Sequence, residues 1–391
     1  MTESKKVSPE SLRAPQNCGS KAAPEVTGYF RCSNHLLNQL FDSVVSEQHK
    51  RFTGSNCPIC DQDILFFANS GSYNMNTAAL YTELLKNSGG SASKIILLQQ
   101  MLCKYSDREI VKAYLPETVE FLESAEKNAP EFPVVSGLGI KDEMNFDDPT
   151  PDDLLSTAYL AGLNLICSRT AEAVGEHVSA AKCMAVYQQI KAAFLKKFYS
   201  ADLRFQGSSQ TAKIAALYFD LCPDDSDLWA LLVEDLLKDI EKKHKLHFSA
   251  GSAGLSLILP VLTKSEALDT AYSLLQQSSF PSWLHPVIRG GKIDDNFNFY
   301  AFGAAVSWFY EGICGIQPDP DFKHFKLDPR FGRFLEWASA EYDSIYGPVI
   351  STWHREGDDY IHQFTIPENT EALVRNKLYS SGTYTIKIKH Y

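Results

Sequence analysis

The sequence predicts a mainly α chain: a closed toroid of helical hairpins followed by a small C-terminal antiparallel β domain. Three observations carry that expectation. About ten segments repeat apolar residues at helical spacing with short connections between them. No strand-like alternation falls among these segments, which disfavours a parallel sheet. Beyond about residue 318 the pattern changes to period two over roughly seventy residues. No fixed sequence repeat is visible, so a solenoid is disfavoured and a closed ring is the simplest arrangement left. The expected division is a flexible lead-in over 1–27, a barrel over 28–317 and a β domain over 318–391.

From Asn34 to Arg51, Leu36, Leu37, Leu40, Phe41, Val44 and Val45 fall on one helix face, with Ser33 or Asn34 as the cap. A polar knot over 56–69 follows. Ser72 to Lys86 reads as the second helix, stopped by Asn87-Ser88-Gly89-Gly90, and Ser93 to Tyr105 as the third. Prolines and acidic punctuation make 116–149 read as irregular. Helices resume over 152–174, 179–198 and 210–221. Asp224 to His244 opens on acidic residues and closes on Lys242, Lys243 and His244, as the helix dipole favours. Helices over 254–262 and 264–277 precede a loop around 281–297, and Phe299 to Cys314 is a last apolar helix. In the C-terminal part, runs such as Val349 to His354 and Tyr360 to Ile366 alternate. Turns at Gly357-Asp358-Asp359 and Pro367-Glu368-Asn369 separate them.

Composition excludes several functions. The 391 residues carry a net charge of -11, which argues against a nucleic-acid or anionic-membrane surface. No apolar run approaches the ~20 residues of a membrane span. The N-terminal residues lack a basic region followed by an apolar run, so the chain reads as unsecreted and cytoplasmic. Nine scattered cysteines fit free thiols in a reducing compartment. Cys57 and Cys60 form a lone C-x-x-C without zinc-finger partners, and the His244/His247 pair sits at a helix end. No metal or cofactor is expected.

The junction Asn298 to Phe325 (N-F-Y-A-F-G-A-A-V-S-W-F-Y-E-G-I-C-G-I-Q-P-D-P-D-F-K-H-F) resembles the bacterial and fungal α-L-rhamnosidases. Ser209-Gln210-Thr211-Ala212, Phe280-Pro281-Ser282-Trp283 and Trp337-Ala338-Ser339 share the likeness, and Gly28 to Leu40 looks like the family's first helix. It runs over nearly the whole chain from residue 28, without a counterpart of the family's usual N-terminal β domains. The resemblance implies an (α/α)6 six-hairpin barrel with a C-terminal β-sandwich, and inverting hydrolysis by two carboxyl groups.

The family's catalytic loop reads approximately D-C-P-Q-R-D-E-R-L-G-W-T-G-D. Aligned on Cys57-Pro58 and Asp61, its general acid falls on Gln62, whose amide delivers no proton at neutral pH. The flanking aspartates fall on Asn56 and Asn69, and the arginine after the acid on Asp63. The glutamate base that follows P-S-W in the family has no counterpart after Trp283. The family's sugar-binding histidine falls on Phe299, and Asp142 matches the aspartate of its G-D-W motif.

These substitutions lead to the expectation of a repurposed, non-hydrolytic enzyme. It would bind a small apolar or aromatic substrate and promote isomerisation, cyclisation or elimination in specialised metabolite biosynthesis. The candidate catalytic groups are Asp61, Gln62, Asp63, Asp142 and His285. The candidate substrate contacts are Asn56, Phe66, Asn69, Trp283, Arg289, Asp295, Asn298 and Phe299. Each has a structural counter-reading: Asp61 as a cap, Asn56 and Asn69 in turns, His285 in a loop, Phe66 in the core, Asp294-Asp295 as a solvated turn. Two alternatives stand beside the leading one. A residual glycoside hydrolase would act on a terminal deoxysugar, with Asp61 or Asp63 as acid and Asp294 or Asp295 as base. A catalytically silent protein would only bind a ligand.

Overall fold

A computed structural model of the chain describes residues 24–53, 61–87, 91–146, 148–290 and 299–389. A strand, β1 (Gly28–Cys32), leads into α1 (His35–Thr53), α2 (Asp61–Asn74), α3 (Ala78–Asn87), α4 (Ala92–Tyr105) and α5 (Arg108–Asn128). Then come α6 (Asp152–Ala173), α7 (His177–Phe198), α8 (Gln210–Tyr218) and α9 (Ser226–Lys238), the last extended by a wide turn over Asp239–Lys243. Shorter helices complete the series: α10 (Ser252–Leu255), α11 (Ile258–Lys264), α12 (Leu268–Gln276), α13 (Leu284–Ile288), α14 (Phe299–Gly303) and α15 (Ala305–Trp308).

Burial sorts these helices into two rings. α6 and α8 are buried on every side, which places them inside. α5 buries only the stripe Val111, Leu115, Thr118 and Leu122, and α7 a similar stripe from Ala180 to Phe198, so both lie outside. The chain alternates: α1, α3, α5, α7, α9 and α12 outside, and α2, α4, α6, α8, α10–α11 and α14–α15 inside. The expected toroid is therefore present. All inner helices run the same way, so their N-termini converge on one end, the mouth. Their C-termini converge on the other end, where the β domain sits.

Several local expectations are corrected. Gly28–Cys32 is not the start of a helix but a strand paired with the β domain, and Asn34 caps α1 through Oδ1 to the Leu36 backbone N–H at 3.0 Å. The helix read over 72–86 is two helices, α2 and α3, separated at Met75–Thr77, and α2 absorbs the apolar run Ile64–Ala68. α5 continues to Asn128 through Pro116, because Pro116 and Lys112, whose carbonyl loses its partner, both face solvent. The proline-bearing segment after the barrel is β2 (Ile316–Asp321), tolerated because it is an edge strand.

The C-terminal domain adds β3 (His324–Leu327), β4 (Trp337–Ser344), β5 (Gly347–Glu356), β6 (Asp359–Val374) and β7 (Lys377–Ile388). The seven-stranded sheet runs β1-β4-β5-β6-β3-β2, with β7 also on β6. β6 is its spine. One half pairs with β5 and the other with β3, the latter in parallel, and β7 follows both. The expected turn at Pro367-Glu368-Asn369 is a register shift inside β6, which curls the sheet.

The seam between barrel and sheet is built from aromatic rings and carbonyls at helix ends. Tyr73 donates to the Ile316 carbonyl at 2.7 Å and stacks on Tyr310 at 4.6 Å. The Trp353 indole donates to the Ile313 carbonyl at 2.8 Å, and the Ser351 hydroxyl to that of Cys314 at 2.6 Å. The last two bonds satisfy carbonyls left open where the wide turn Phe309–Ile313, which continues α15, ends. Lys104, at the end of α4, lies with Nζ 2.9 Å from the centre of the Tyr73 ring and has no hydrogen-bond partner among the described residues.

Burial pulls the Lys104 ammonium down to about 7, although the Glu311 carboxylate opposes the shift. Between that value and its ordinary 10.5, the unfolded chain binds the proton and the folded chain does not, so this group makes stability rise with pH. Lys104→Met is expected to stabilise the protein by about 1–3 kcal/mol near neutral pH, after the lost cation–π contact is offset. It should also flatten that rise, as read from urea unfolding at a series of pH values.

Candidate active site at the mouth of the barrel

The inward face of α2 carries Gln62, Leu65, Phe66 and Asn69, the i, i+3, i+4, i+7 set of one helical stripe. Gln62 lies at the mouth, and its Nε2 donates to the Lys141 carbonyl at 2.7 Å. The first turn of α2 is thereby tied to the segment that bears Asp142. Asp61 and Asp63 belong to the same turn, where the helix dipole favours an anion; the side chain of Asp61 lies outside the described atoms.

Asp142 is the best-determined candidate. Its Oδ2 accepts from the Thr150 hydroxyl at 2.7 Å and the Asn145 amide at 3.0 Å, and Oδ1 accepts from the Thr211 hydroxyl at 3.1 Å. Beneath it converge the N-termini of α8 and α10. The Ser209 hydroxyl caps α8 by accepting from the Ala212 N–H, and it meets Thr150 at 2.7 Å. Ser252 donates to the Lys141 carbonyl at 3.1 Å and accepts from the Glu143 N–H at 3.1 Å. Burial raises the carboxyl of Asp142 above its ordinary range, outweighing the three side-chain hydrogen bonds and the backbone one from Ala253 that lower it. The result is a buried carboxyl group that holds a proton more readily than a surface aspartate.

This seat has a second support. Gln210 Oε1 accepts from the Ser249 and Ala250 N–H groups at 2.8 and 3.3 Å, while its Nε2 donates to Asp239 at 2.8 Å. Asp239 in turn pairs with Lys213 at 3.1 Å. This buried chain fixes the 249–251 backbone under Asp142. Gly251 is the contact point: a Cβ there would lie 2.2 Å from Asp142 Oδ1.

An aromatic rim flanks the carboxyl group. Phe146, on the same loop, packs edge-on against Phe280 at 5.2 Å, and Phe280 against the His285 ring at 5.6 Å. Both phenylalanines are partly exposed. His285 itself sits half-buried in α13, with its backbone N–H donating to the Ser282 hydroxyl at 3.2 Å, and Arg289 follows it, exposed. Two rings of the rim, but no hydrogen bond among the described residues, join His285 to the Asp142 cluster.

Other expected site residues are placed elsewhere. Trp283 is a core residue: fully buried, packed on Phe248 at 4.9 Å, with its indole N–H donating to the Phe302 carbonyl at 3.2 Å. Phe299 is buried beneath the Arg51 guanidinium, 4.7 Å from its ring centre. Phe66 and Asn69 are one and two turns below the mouth, and the Asn69 amide donates to Glu311 at 2.8 Å. Asn56, Asp294, Asp295 and Asn298 lie outside the described residues. The sequence reading missed Asn145, Thr150 and Ser252 as partners of this segment. Thr211 and Ser252 were within reach, because the Ser209-to-Ala212 and Phe248-to-Leu255 segments both share the likeness.

Residues 89–313 match the family model of the bacterial α-L-rhamnosidase six-hairpin glycosidase domain, and residues 312–386 that of the bacterial α-L-rhamnosidase C-terminal domain. An α-L-rhamnosidase of Streptomyces avermitilis is 27% identical over 88% of this chain and 38% of its own length. One of Formosa agariphila is 28% identical over 58% of this chain and 26% of its own. Among solved structures, the Streptomyces avermitilis α-L-rhamnosidase complexed with L-rhamnose aligns with a TM-score of 0.85 at 25% identity, over 94% of this chain and 42% of that one. The Aspergillus terreus α-L-rhamnosidase aligns at 0.84 and 21% identity, over 93% and 50%. The chain thus spans half or less of the length of these relatives.

These likenesses overturn the expectation of a non-hydrolytic isomerase, cyclase or lyase in metabolite biosynthesis, since relatives in both comparisons are hydrolases of one kind. The error was physical as well. The loss of the family's acid at Gln62 weighed against hydrolysis, yet Asp142, already a candidate acid or base in the sequence, follows the Lys141 carbonyl that Gln62 holds, and its carboxyl is raised.

Gly251→Ala is expected to displace Asp142 and cost about 1–3 kcal/mol of stability through overpacking. Thermal unfolding checks the cost. Partial restoration by a second substitution, Asp142→Ala, tests the side-chain share of the clash, the Asp142 backbone carbonyl at 2.8 Å remaining in place.

Proposed function

The chain belongs to the bacterial α-L-rhamnosidase six-hairpin glycosidase family, and from that premise we propose that it is a glycoside hydrolase domain acting on a terminal α-L-rhamnose-like deoxysugar. The observation that carries the reading is the buried Asp142 carboxyl, raised by its surroundings, at the mouth of a barrel whose relatives hydrolyse rhamnosides.

An inverting glycosidase needs one protonated carboxyl group for the leaving oxygen and one carboxylate to activate water on the opposite face of the sugar. The two environments at the mouth suit such a division. Asp142, whose carboxyl is raised by its withdrawal from water, is the donor. Asp63, in the first turn of α2 where the helix dipole supports a negative charge, is the base. The Gln62-to-Lys141 hydrogen bond holds the two segments in register. The hydroxyls of Thr150 and Thr211 orient the Asp142 carboxyl, and the exposed rings of Phe146 and Phe280 offer an apolar platform for the group attached to the sugar. No part of this scheme calls for a cofactor. Cys32, Cys167, Cys183, Cys222 and Cys314 are buried free thiols, which supports a reducing, cytoplasmic setting.

The test is hydrolysis of two α-L-rhamnosides, one with a 4-nitrophenyl and one with an alkyl leaving group. A lost general acid matters little for a good leaving group and greatly for a poor one. Asp142→Asn is therefore expected to slow the alkyl substrate by about 10²–10⁴-fold and the nitrophenyl substrate far less. In the unaltered protein, kcat/KM for the alkyl substrate should fall as pH rises through the elevated range of Asp142. Absence of turnover on both substrates would sink the reading and leave a silent binding domain.

Gln62→Glu supplies an independent check. A glutamate there faces the Lys141 carbonyl, an acceptor that favours the protonated acid. Hydrolysis of the alkyl substrate is expected to rise about tenfold or more, most at acid pH.

A further inference from the structure

The inner ring should be solid below the mouth, yet several of its aliphatic side chains keep accessible surface. Leu65, Ile96, Ile166, Leu257 and Pro260 are half-buried although they sit on helices enclosed by the outer ring. The surface they present faces an axial cavity of about 600 Å³. Gln317, Pro318 and Arg330 also line it, so the cavity reaches the end where the β domain sits, away from Asp142 and Gln62. Tyr159 marks its inner limit: this ring lines the cavity and donates its hydroxyl to the Ala253 carbonyl, in the helix under Asp142, at 2.8 Å.

The wall is graded in chemistry. Deep in the barrel it is aliphatic, with Leu65, Leu163 and Leu257. Toward the β domain it becomes polar around Glu311. The Glu311 carboxylate accepts from Asn69 at 2.8 Å, and its backbone carbonyl accepts from Gln317 at 2.7 Å. Tyr218 is 37% exposed while standing on the last turn of an inner helix, so its open ring surface is presented to the cavity. Burial first, and the Glu311 charge second, push its hydroxyl up to about 12, which keeps it a donor.

The size lies within the usual range for small-molecule sites, and the wall mixes aliphatic and aromatic side chains with polar groups such as Gln100, Ser307 and Glu311. An aromatic surface at one side favours a flat ring. The acceptor at Glu311 favours a hydroxyl donor. A second cation is disfavoured, because Lys104 lines the same cavity and already interacts with Glu311. We propose that this axial cavity is a second small-molecule site, entered from the β-domain end, that takes a hydroxylated ring compound of the phenol class with its hydroxyl on Glu311. The site does not depend on hydrolysis at the mouth.

The probe is 4-methylumbelliferone, a fluorescent phenolic ring, with its 7-O-methyl ether as the control that lacks the donor. Fluorescence titration of the full chain is expected to show one saturable site, with the ether at least about tenfold weaker. Glu311→Ala should weaken the phenol by about tenfold or more. Leu257→Trp should block it by filling the cavity, and it supplies the same reading should Glu311→Ala fail to fold. Asp142→Asn should leave the affinity unchanged. Three results would each overturn the proposal: no saturable binding, equal binding of phenol and ether, or binding lost in Asp142→Asn while both cavity variants retain it.

Discussion

A helix buried on every side has no solvent with which to satisfy its first N–H groups, and this constraint governs the molecule. The inner ring is made of such helices, all running from the mouth toward the β domain. Side chains must therefore meet the backbone donors and loops collected at the mouth. Ser209 caps α8, Gln210 Oε1 takes the N–H groups of Ser249 and Ala250, and Ser252 bonds both Lys141 and Glu143. Asp142 sits in the middle of this polar layer, and its chemistry follows from where the layer had to be. A carboxyl group so placed gains hydrogen bonds but loses water, and the second effect is the larger.

The opposite end meets the same constraint differently. There the open groups are carbonyls, and the sheet covers them. Ser351 and Trp353 of β5 donate to Cys314 and Ile313, Tyr73 of α2 donates back to Ile316 in β2, and β1 is drawn from the N-terminal side of the barrel into the sheet beside β4. Barrel and sheet are thus one packing unit in which Lys104 is sealed among aromatic rings. At the break between α10 and α11, Ser256 and Leu257 line the axial cavity, as does Pro260 in the first turn of α11.

Both ends bear on the chemistry. The mouth combines a raised carboxyl, a helix N-terminus with two aspartates, and an exposed aromatic rim, which is the combination a glycosidase uses to protonate, to activate water and to hold an attached group. The substitution at Gln62 changes how that end is wired. An amide donates to Lys141 where an anionic carboxylate would be repelled, so Gln62 acts as a strut and the proton has to come from a neighbour.

The legible parts of the chain were those written in periodicity. The stripes of α1 and α9, the nearly uniform apolar character of the last inner helix, and the alternation of β5 and β6 gave the ring and the sheet, and the likeness over 298–325 pointed to the right family. Less visible was anything set by exposure rather than by residue type. Pro116 is tolerated only because its turn faces solvent, and Trp283 looked like a ligand platform until Phe248 and the Phe302 carbonyl enclosed it. By itself the sequence determined the architecture, because apolar spacing fixes which face of each element must be buried. Which polar groups share a site was decided only in the tertiary structure. Gln62, Asp142, Thr211 and Gly251 are far apart in the chain and meet where three inner helices begin, and no local pattern encodes that meeting.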